Sequence, residues 1–207
     1  MELVCLDLEG VLVPEIWIAV SRKTGIDELK LTTRDISDYD ELMNHRLGIL
    51  DREGIRLAEI QRVIGSLEPL EGALEFTRAL RSETQLVILS DTFEQFAAPL
   101  MRKLELPTLL CNTLEVDGDY RIAGYRLRQS DGKRRAVEGF RGMGLRVFAA
   151  GDSYNDVTML KAADRGMLFR APATIREEFP EFGAVEDHRE LLEGVRDFLR
   201  ARPVAAG

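Results

Sequence analysis

The chain has 207 residues, of which 45% are hydrophobic and 31% charged, with a formal net charge of −8. These proportions describe an ordinary globular chain of one domain, or one domain with an inserted subdomain, long enough to bury a core without staples. The negative balance argues against nucleic acid or an anionic membrane as a default partner, and no apolar run is long enough to cross a bilayer. An anionic substrate must therefore be drawn in by local cations.

The N-terminus lacks the basic stretch and long apolar run of a signal peptide. Cys5 and Cys111 lie in apolar runs and form no CxxC or metal spacing. They read as reduced core residues of a cytosolic, hence cytoplasmic, protein. No internal repeat or low-complexity tract interrupts the chain.

In chain order, short apolar runs at LVCLDL (3–8), LVILS (86–90), RVFAAG (146–151) and GMLF (166–169) read as buried strands. Helical patterns at 72–82, 92–104 and 133–142 alternate with them. Short buried strands alternating with helices predict a doubly wound α/β fold, a parallel sheet covered on both faces. The segment 109–128 reads as a hairpin, its alternating residues flanking Asp117-Gly118. Between the first strand and the next βα unit lie three helical patterns, at 15–24, 35–51 and 56–67, with Thr24-Gly25 and Glu53-Gly54 as helix ends. This predicts an α/β core at 1–13 and 69–207 and a helical cap inserted at 14–68. Such a cap would lie over the carboxyl edge of the sheet, where open α/β sheets bind ligands.

Three strands deliver acids or hydroxyls to that edge: Asp7-Leu8-Glu9-Gly10, Ser90-Asp91-Thr92, and Gly151-Asp152-Ser153-Tyr154-Asn155-Asp156. Alternation places Asp7 and Glu9 on one side of a strand, where like charges raise each other's pKa unless a cation stands opposite. Clustered carboxylates suit Mg²⁺, which takes one or two of them plus substrate phosphate. A hard divalent cation shared by Asp7 and Asp152 answers the repulsion.

The stretches DLEGV at 7–11, SDT at 90–92, Lys133 and GDSYND at 151–156 resemble the four ordered motifs of the haloacid dehalogenase-like phosphohydrolases. Within that superfamily, DxEG with Pro14-Glu15, SDTF and GDSYND are most similar to phosphoserine phosphatases. The likeness is closest to the bifunctional subgroup that also moves phosphate from phosphoserine to homoserine, where Glu stands, as Glu9 does, two residues after the nucleophile. The resemblance implies an Mg²⁺-dependent hydrolase working through an aspartyl-phosphate on Asp7, ionised at neutral pH. It implies Glu9 as general acid and base, with its backbone carbonyl reaching the metal beside Asp7 and Asp152. It also implies phosphate held by Ser90, Asp91, Lys133 and Asn155, with Asp156 in the metal's outer surroundings. Glu15 and Arg46 would take the substrate ammonium and carboxylate. Partners are then small molecules only, phosphoserine and homoserine, with a homodimer left open.

Each residue also has a plainer reading. Asp7 and Glu9 fit solvent-facing edge positions. Asp91 fits a helix start, with Thr92 and Gln95 as a capping box, and Ser153 with Asp156 fits another. Asn155 is a cap residue type, and Glu15 follows Pro14 where an acid is favoured anyway. Lys133 in a helix's first turn opposes the macrodipole, which points away from a surface role. Arg46 interrupts the apolar stripe of Met43, Leu47 and Leu50, so it needs either a carboxylate partner or a head that reaches water. A receiver domain, also α/β with an acceptor Asp and Mg²⁺, is disfavoured by the insertion and by Glu9, because a receiver must retain its phosphoryl group.

Overall fold

The computed structural model describes residues 1–32, 35–36 and 38–201. A seven-stranded sheet runs in the order β4-β3-β2-β1-β5-β6-β7. The strands are β1 (Glu2–Leu6), β2 (Gln85–Phe93), β3 (Thr108–Val116), β4 (Ile122–Arg126), β5 (Arg146–Gly151), β6 (Arg165–Phe169) and β7 (Ala184–Val185). All neighbouring pairs are parallel except β3 with β4. β1 is central, between β2 and β5, so the winding reverses direction beside it. This is the switch point at which open α/β sheets leave a crevice beyond their carboxyl ends.

Strand alternation divides the core. Val4, Leu6, Ile88, Phe148 and Phe169 face one side, with Phe76 and Leu80 of α4 (Ala73–Glu83), Phe96 and Leu100 of α5 (Glu94–Lys103), and Leu191 and Val195 of α9 (His188–Arg200). Leu3, Cys5, Val87, Leu89 and Val147 face the other side. There they meet Val137 of α6 (Gly132–Gly142), Met159 and Leu160 of α7 (Val157–Ala162), and Ile175 of α8 (Ala173–Glu178). Burial on both faces explains why these strands read as continuous apolar runs. Burial also pushes the Cys5 thiol up to about 12, so it stays a protonated core residue.

The sheet and its flanking helices agree with the doubly wound α/β expectation. The first strand stops at Leu6, short of the expected 3–8, and Asp7 only continues the ladder through its N–H to Ala150 O at 3.0 Å. Residues 8–13 fold into a tight turn, with Leu12 and Val13 N–H both donating to Leu8 O. Asp7 and Glu9 are therefore loop residues, not neighbours on one side of a strand. The hairpin at 109–128 is present, closed by residues 117–121, where Asp117 Oδ1 accepts from the amides of Asp119 and Arg121. The amphipathic helix α9 was not anticipated from the sequence.

Three helices separate β1 from α4: α1 (Ile16–Thr24), α2 (Tyr39–Arg52) and α3 (Leu57–Gly65). Gly25 and Gly54 have φ of 74° and 68°, the left-handed geometry that ends a helix and favours glycine. The pattern at 35–51 shortens to a start at Tyr39, because Asp38 accepts the Glu41 amide at 2.8 Å and caps the helix there. Ser37, inside the expected span, lies outside the described residues.

These helices share the larger core cluster with the sheet. Trp17 of α1 meets Phe96 of α5 edge-on at 5.4 Å, and Phe96 meets Phe93 at 5.7 Å. Among the described residues, no helix is long and apolar enough to cross a membrane. Phe96 is fully buried where α1 packs on the core. We expect Phe96→Ala to lower unfolding free energy by about 3–5 kcal/mol in urea titrations; a loss under about 1 kcal/mol would mean the site relaxes into the void.

Candidate active site

A cavity of about 320 Å³ opens at the carboxyl ends of β1, β2 and β5. Asp7, Glu9, Glu15, Arg46, Ser90, Asp91, Lys133, Asp152 and Asn155 all line it. Asp156 lies beneath, with no exposed surface. The structure thus brings every sequence-predicted residue to one place, although they come from two loops, the end of β2 and two helices.

Lys133 is the positive centre of that floor. It lies in the first turn of α6 and is only 4% exposed. Its Nζ is 2.8 Å from Asp156 Oδ1, 3.0 Å from Asp7 Oδ1 and 3.5 Å from Asp91 Oδ2. Burial works against its charge, but Asp156, Asp7 and Asp91 outweigh burial and hold its pKa well above the ordinary value. A surface reading of Lys133 is excluded.

One lysine does not balance these acids. Burial pushes Asp7 well above the carboxylate range, Asp156 and Asp152 add to it, and Lys133 offsets only part. Burial, then Asp156 and Glu15, lift Asp152 to about 7. The expectation that Asp7 is ionised at neutral pH therefore needs a further cation beside it. Carboxylate oxygens of Asp7, Asp152 and Asp156 lie within 4.8 Å of one another. A Cβ at Gly10 would collide with the Asp152 carboxylate, so the turn presses its backbone onto that acid. An all-oxygen donor set with surplus negative charge fits Mg²⁺.

Asp156 also has the structural role considered for it. Its Oδ2 accepts from the amides of Asp152 at 3.0 Å and Ser153 at 3.2 Å, closing a capping box. Its Oδ1 meanwhile holds Lys133, so capping and charge placement are one arrangement. The capping box proposed for Thr92 and Gln95 is absent. β2 runs on to Phe93, which caps α5 without a side-chain bond. Gln95 instead pairs through its amide group with the Leu114 backbone of β3, at 3.0 and 2.9 Å. Ser90 Oγ accepts the Thr92 amide at 3.2 Å, and Asn155 donates to Asp91 at 3.0 Å.

Glu9 stands apart from the three aspartates. Its Oε2 accepts the Ile16 amide at 2.7 Å. Burial, then Glu15, raise it to about 7, against the Ile16 amide, the Thr92 side chain and Lys133. A carboxyl so poised can both give and take a proton near neutrality.

Arg46, on α2, lines the same cavity. It is 7% exposed, so its head does not snorkel to water. Nη2 donates to Leu31 O at 2.7 Å, the guanidinium lies 4.6 Å from the Trp17 ring centre, and Nε is buried with no partner. Burial lowers its pKa to about 10, opposed by Tyr39, Glu9 and Glu15, so it remains charged at neutrality. A buried, under-partnered cation facing a cavity is a site for an anion.

Sequence reasoning missed Trp17 and Tyr39, which also line the cavity. The single tryptophan of the chain, two residues after Glu15, was the available signal. Tyr39 sat inside the expected helical pattern at 35–51 and gave none.

Glu9 and Asp152 bind protons more tightly when folded than in the unfolded chain. Their contribution to stability is complete below the unfolded carboxyl pKa of about 4 and is lost as pH rises through about 7. We expect the Tm in excess chelator to fall between about pH 5 and pH 8, and added Mg²⁺ to restore it most at the upper end. Calorimetry with and without Mg²⁺ checks both, and a flat profile would contradict the charge arrangement.

Comparison with known proteins assigns the chain to a family. A family model described as haloacid dehalogenase-like hydrolase matches residues 23–161. Phosphoserine phosphatase ThrH of Pseudomonas aeruginosa is 59% identical over 97% of each chain. A phosphoserine phosphatase of Pseudomonas syringae pv. tomato is 56% identical over 97% of this chain and 84% of its own. A solved structure titled as a phospho-aspartyl intermediate analogue of phosphoserine phosphatase superposes with a TM-score of 0.75 at 21% identity, over 93% of this chain and 98% of that one, a likeness of fold. The chain belongs to the haloacid dehalogenase-like hydrolase family.

Proposed function

We propose that the chain is an Mg²⁺-dependent phosphoserine phosphatase acting through an aspartyl-phosphate on Asp7. The carrying observation is that one cavity holds a buried carboxylate beside Lys133 at its floor and an under-partnered Arg46 in its wall. That layout fits a small molecule with phosphate at one end and carboxylate at the other. Glu15, lining the same cavity, fits the ammonium between them. The two relatives named phosphoserine phosphatase, at 59% and 56% identity, support the same substrate.

The helices of residues 14–68 serve as the cap that supplies Glu15 and Arg46, and the α/β core supplies the chemistry. Asp7, Asp152 and the Glu9 backbone carbonyl would hold Mg²⁺, with Asp156 behind them. When bound, the ion supplies positive charge that keeps these acids ionised and offsets charge on the transferring oxygens. Asp7 attacks phosphorus while Glu9 protonates the departing serine oxygen. Glu9 then takes the proton from the incoming water. Lys133, Ser90 and Asn155 hold phosphoryl oxygens, so positioning and charge supply most of the rate. The activity is placed in the cytoplasm as part of the same reading.

A second reading adds an acceptor. Glu9 stands where the phosphatase pattern has Asp, and the 59% identical relative carries the name ThrH. Homoserine bears the ammonium and carboxylate of serine on a chain one methylene longer. A bound alcohol competes with bulk water through effective molarities of roughly 10⁵ M or more when oriented well.

Products from labelled phosphoserine, counted with Mg²⁺ at rising homoserine, test both readings. Phosphate is expected without homoserine and phosphohomoserine with it; phosphate alone at saturating homoserine removes the second reading. Asp7→Asn, still folded, is expected to abolish turnover of both products, since an amide cannot form the acyl phosphate. Substantial residual turnover would falsify the mechanism. Arg46→Ala should raise KM for phosphoserine about ten- to a hundredfold, the worth of a charge-assisted contact of roughly 1.5–3 kcal/mol. An ester lacking the carboxylate should change far less, and equal losses on both would reduce Arg46 to packing.

A further inference from the structure

His188, the first residue of α9, is buried at 5% exposure and does not line the catalytic cavity. Its Nε2 lies 2.8 Å from Val11 O and its Nδ1 2.9 Å from Glu71 O. These two carbonyls belong to the two places where the chain passes between sheet and helical segment. Val11 is on the outgoing turn after Asp7 and Glu9, and Glu71 is on the returning stretch just before α4. The two stretches also bind each other, Leu70 N–H donating to Leu12 O at 2.9 Å. Phe76 of α4 and Phe169 of β6 flank the ring at 5.2 and 4.7 Å, tilted by 37° and 34°. Gly72 brings its backbone close as well: a Cβ there would stand 3.4 Å from Nδ1.

A carbonyl oxygen only accepts. Whichever nitrogen carries the proton, it donates to a backbone carbonyl; burial lowers the His188 pKa against the pull of the Val11 and Glu71 carbonyls, so the neutral ring is favoured and bonds one of the two stretches. The outgoing turn is short and internally closed, with Gly10 N–H donating to Val13 O at 2.8 Å and Leu12 N–H to Leu8 O at 2.8 Å. A bond at Val11, or at Glu71 through the Leu70–Leu12 pair, therefore holds the whole turn, and with it the Glu9 carboxyl and the backbone beside Asp7.

We propose that His188 is a positioning residue, fastening the joined outgoing and returning stretches of the helical segment to α9 through one ring N–H and so setting where Asp7 and Glu9 stand. The kinetic part of this proposal rests on the phosphoserine phosphatase reading; the spectroscopic part does not. Misplacement of reacting groups by about 1 Å costs on the order of a hundredfold in rate. Removing the fastening should therefore act on kcat, while Arg46 and Glu15 keep KM near its native value.

The test compares two variants and one measurement on the native chain. His188→Phe keeps the ring volume between Phe76 and Phe169 but removes the ring N–H donor; His188→Gln keeps a donor. We expect His188→Phe to lower kcat about ten- to a hundredfold with KM within about threefold, and His188→Gln to recover at least part of that loss at similar Tm. Native kcat in folded His188→Phe overturns the proposal, as does a loss in both variants that follows Tm alone. In the native ¹⁵N-labelled protein, which has only two histidines, a His188 ring N–H should exchange slowly and show scalar coupling to the Val11 or Glu71 carbonyl. A freely exchanging, uncoupled ring overturns the proposal even if the variants do not fold. If the native protein turns over another phosphate ester but not phosphoserine, the substrate reading fails while the comparison of kcat on that ester still decides the role of His188.

Discussion

The site is organised by a shortage of positive charge. Lys133 is a buried cation facing Asp7, Asp91 and Asp156, and Asp152 lies close enough to be raised by the same cluster. Buried like charges are costly unless paired, so so many acids at one sheet edge are tolerable only around a strong cationic centre. Lys133 supplies one charge. The remainder is the physical basis for a dication site, and it also explains why a lysine occupies a helix's first turn, where the macrodipole disfavours it. Asp156 is the link: one oxygen holds Lys133 and the other gathers the amides of the loop after β5.

The sheet makes that concentration of charge feasible. β1, β2 and β5 are central and buried on both faces, so their ends are rigid platforms. Because the winding reverses beside β1, the loops leaving these strands diverge and leave a crevice instead of closing over it. Each loop carries part of the constellation, and none carries enough to act alone. The tight turn at 8–13 adds a constraint, since its closeness to Asp152 at Gly10 leaves no room for a side chain.

The part of the cavity wall that α2 supplies has a different character. Arg46 is held by Leu31 O and the face of Trp17, with a buried Nε left over. This is an under-satisfied cation on a helix otherwise packed by apolar residues, a local cost that the fold bears where recognition is proposed. The acids with Lys133 and the buried Arg46 thus sit on separate parts of the chain, joined through the two short connections at Val11–Val13 and Leu70–Gly72.

Much was legible in the residues themselves. Continuous apolar runs marked the central strands because burial on both faces removes any need for alternation, and glycines at 25 and 54 marked helix ends because only glycine takes that backbone freely. The acids at the strand ends were conspicuous because carboxylates beside apolar runs need a chemical reason. Other features depend on contacts between segments far apart in the chain. The strand's end at Leu6 was set by the turn that follows it, and Gln95 was drawn from a cap by the backbone of β3. The raised acidity constants of Glu9 and Asp152 arise from burial first, then from acids brought close by the folded loops, Glu15 reaching Asp152 from a different loop. His188 meets carbonyls 177 and 117 residues away. Sequence alone thus determined which residue types could do the chemistry and which runs could enter a core, since those follow from local preference and polarity. Only the tertiary structure decided protonation, pairing and cavity shape, because each depends on which distant groups share the same few ångströms with water excluded.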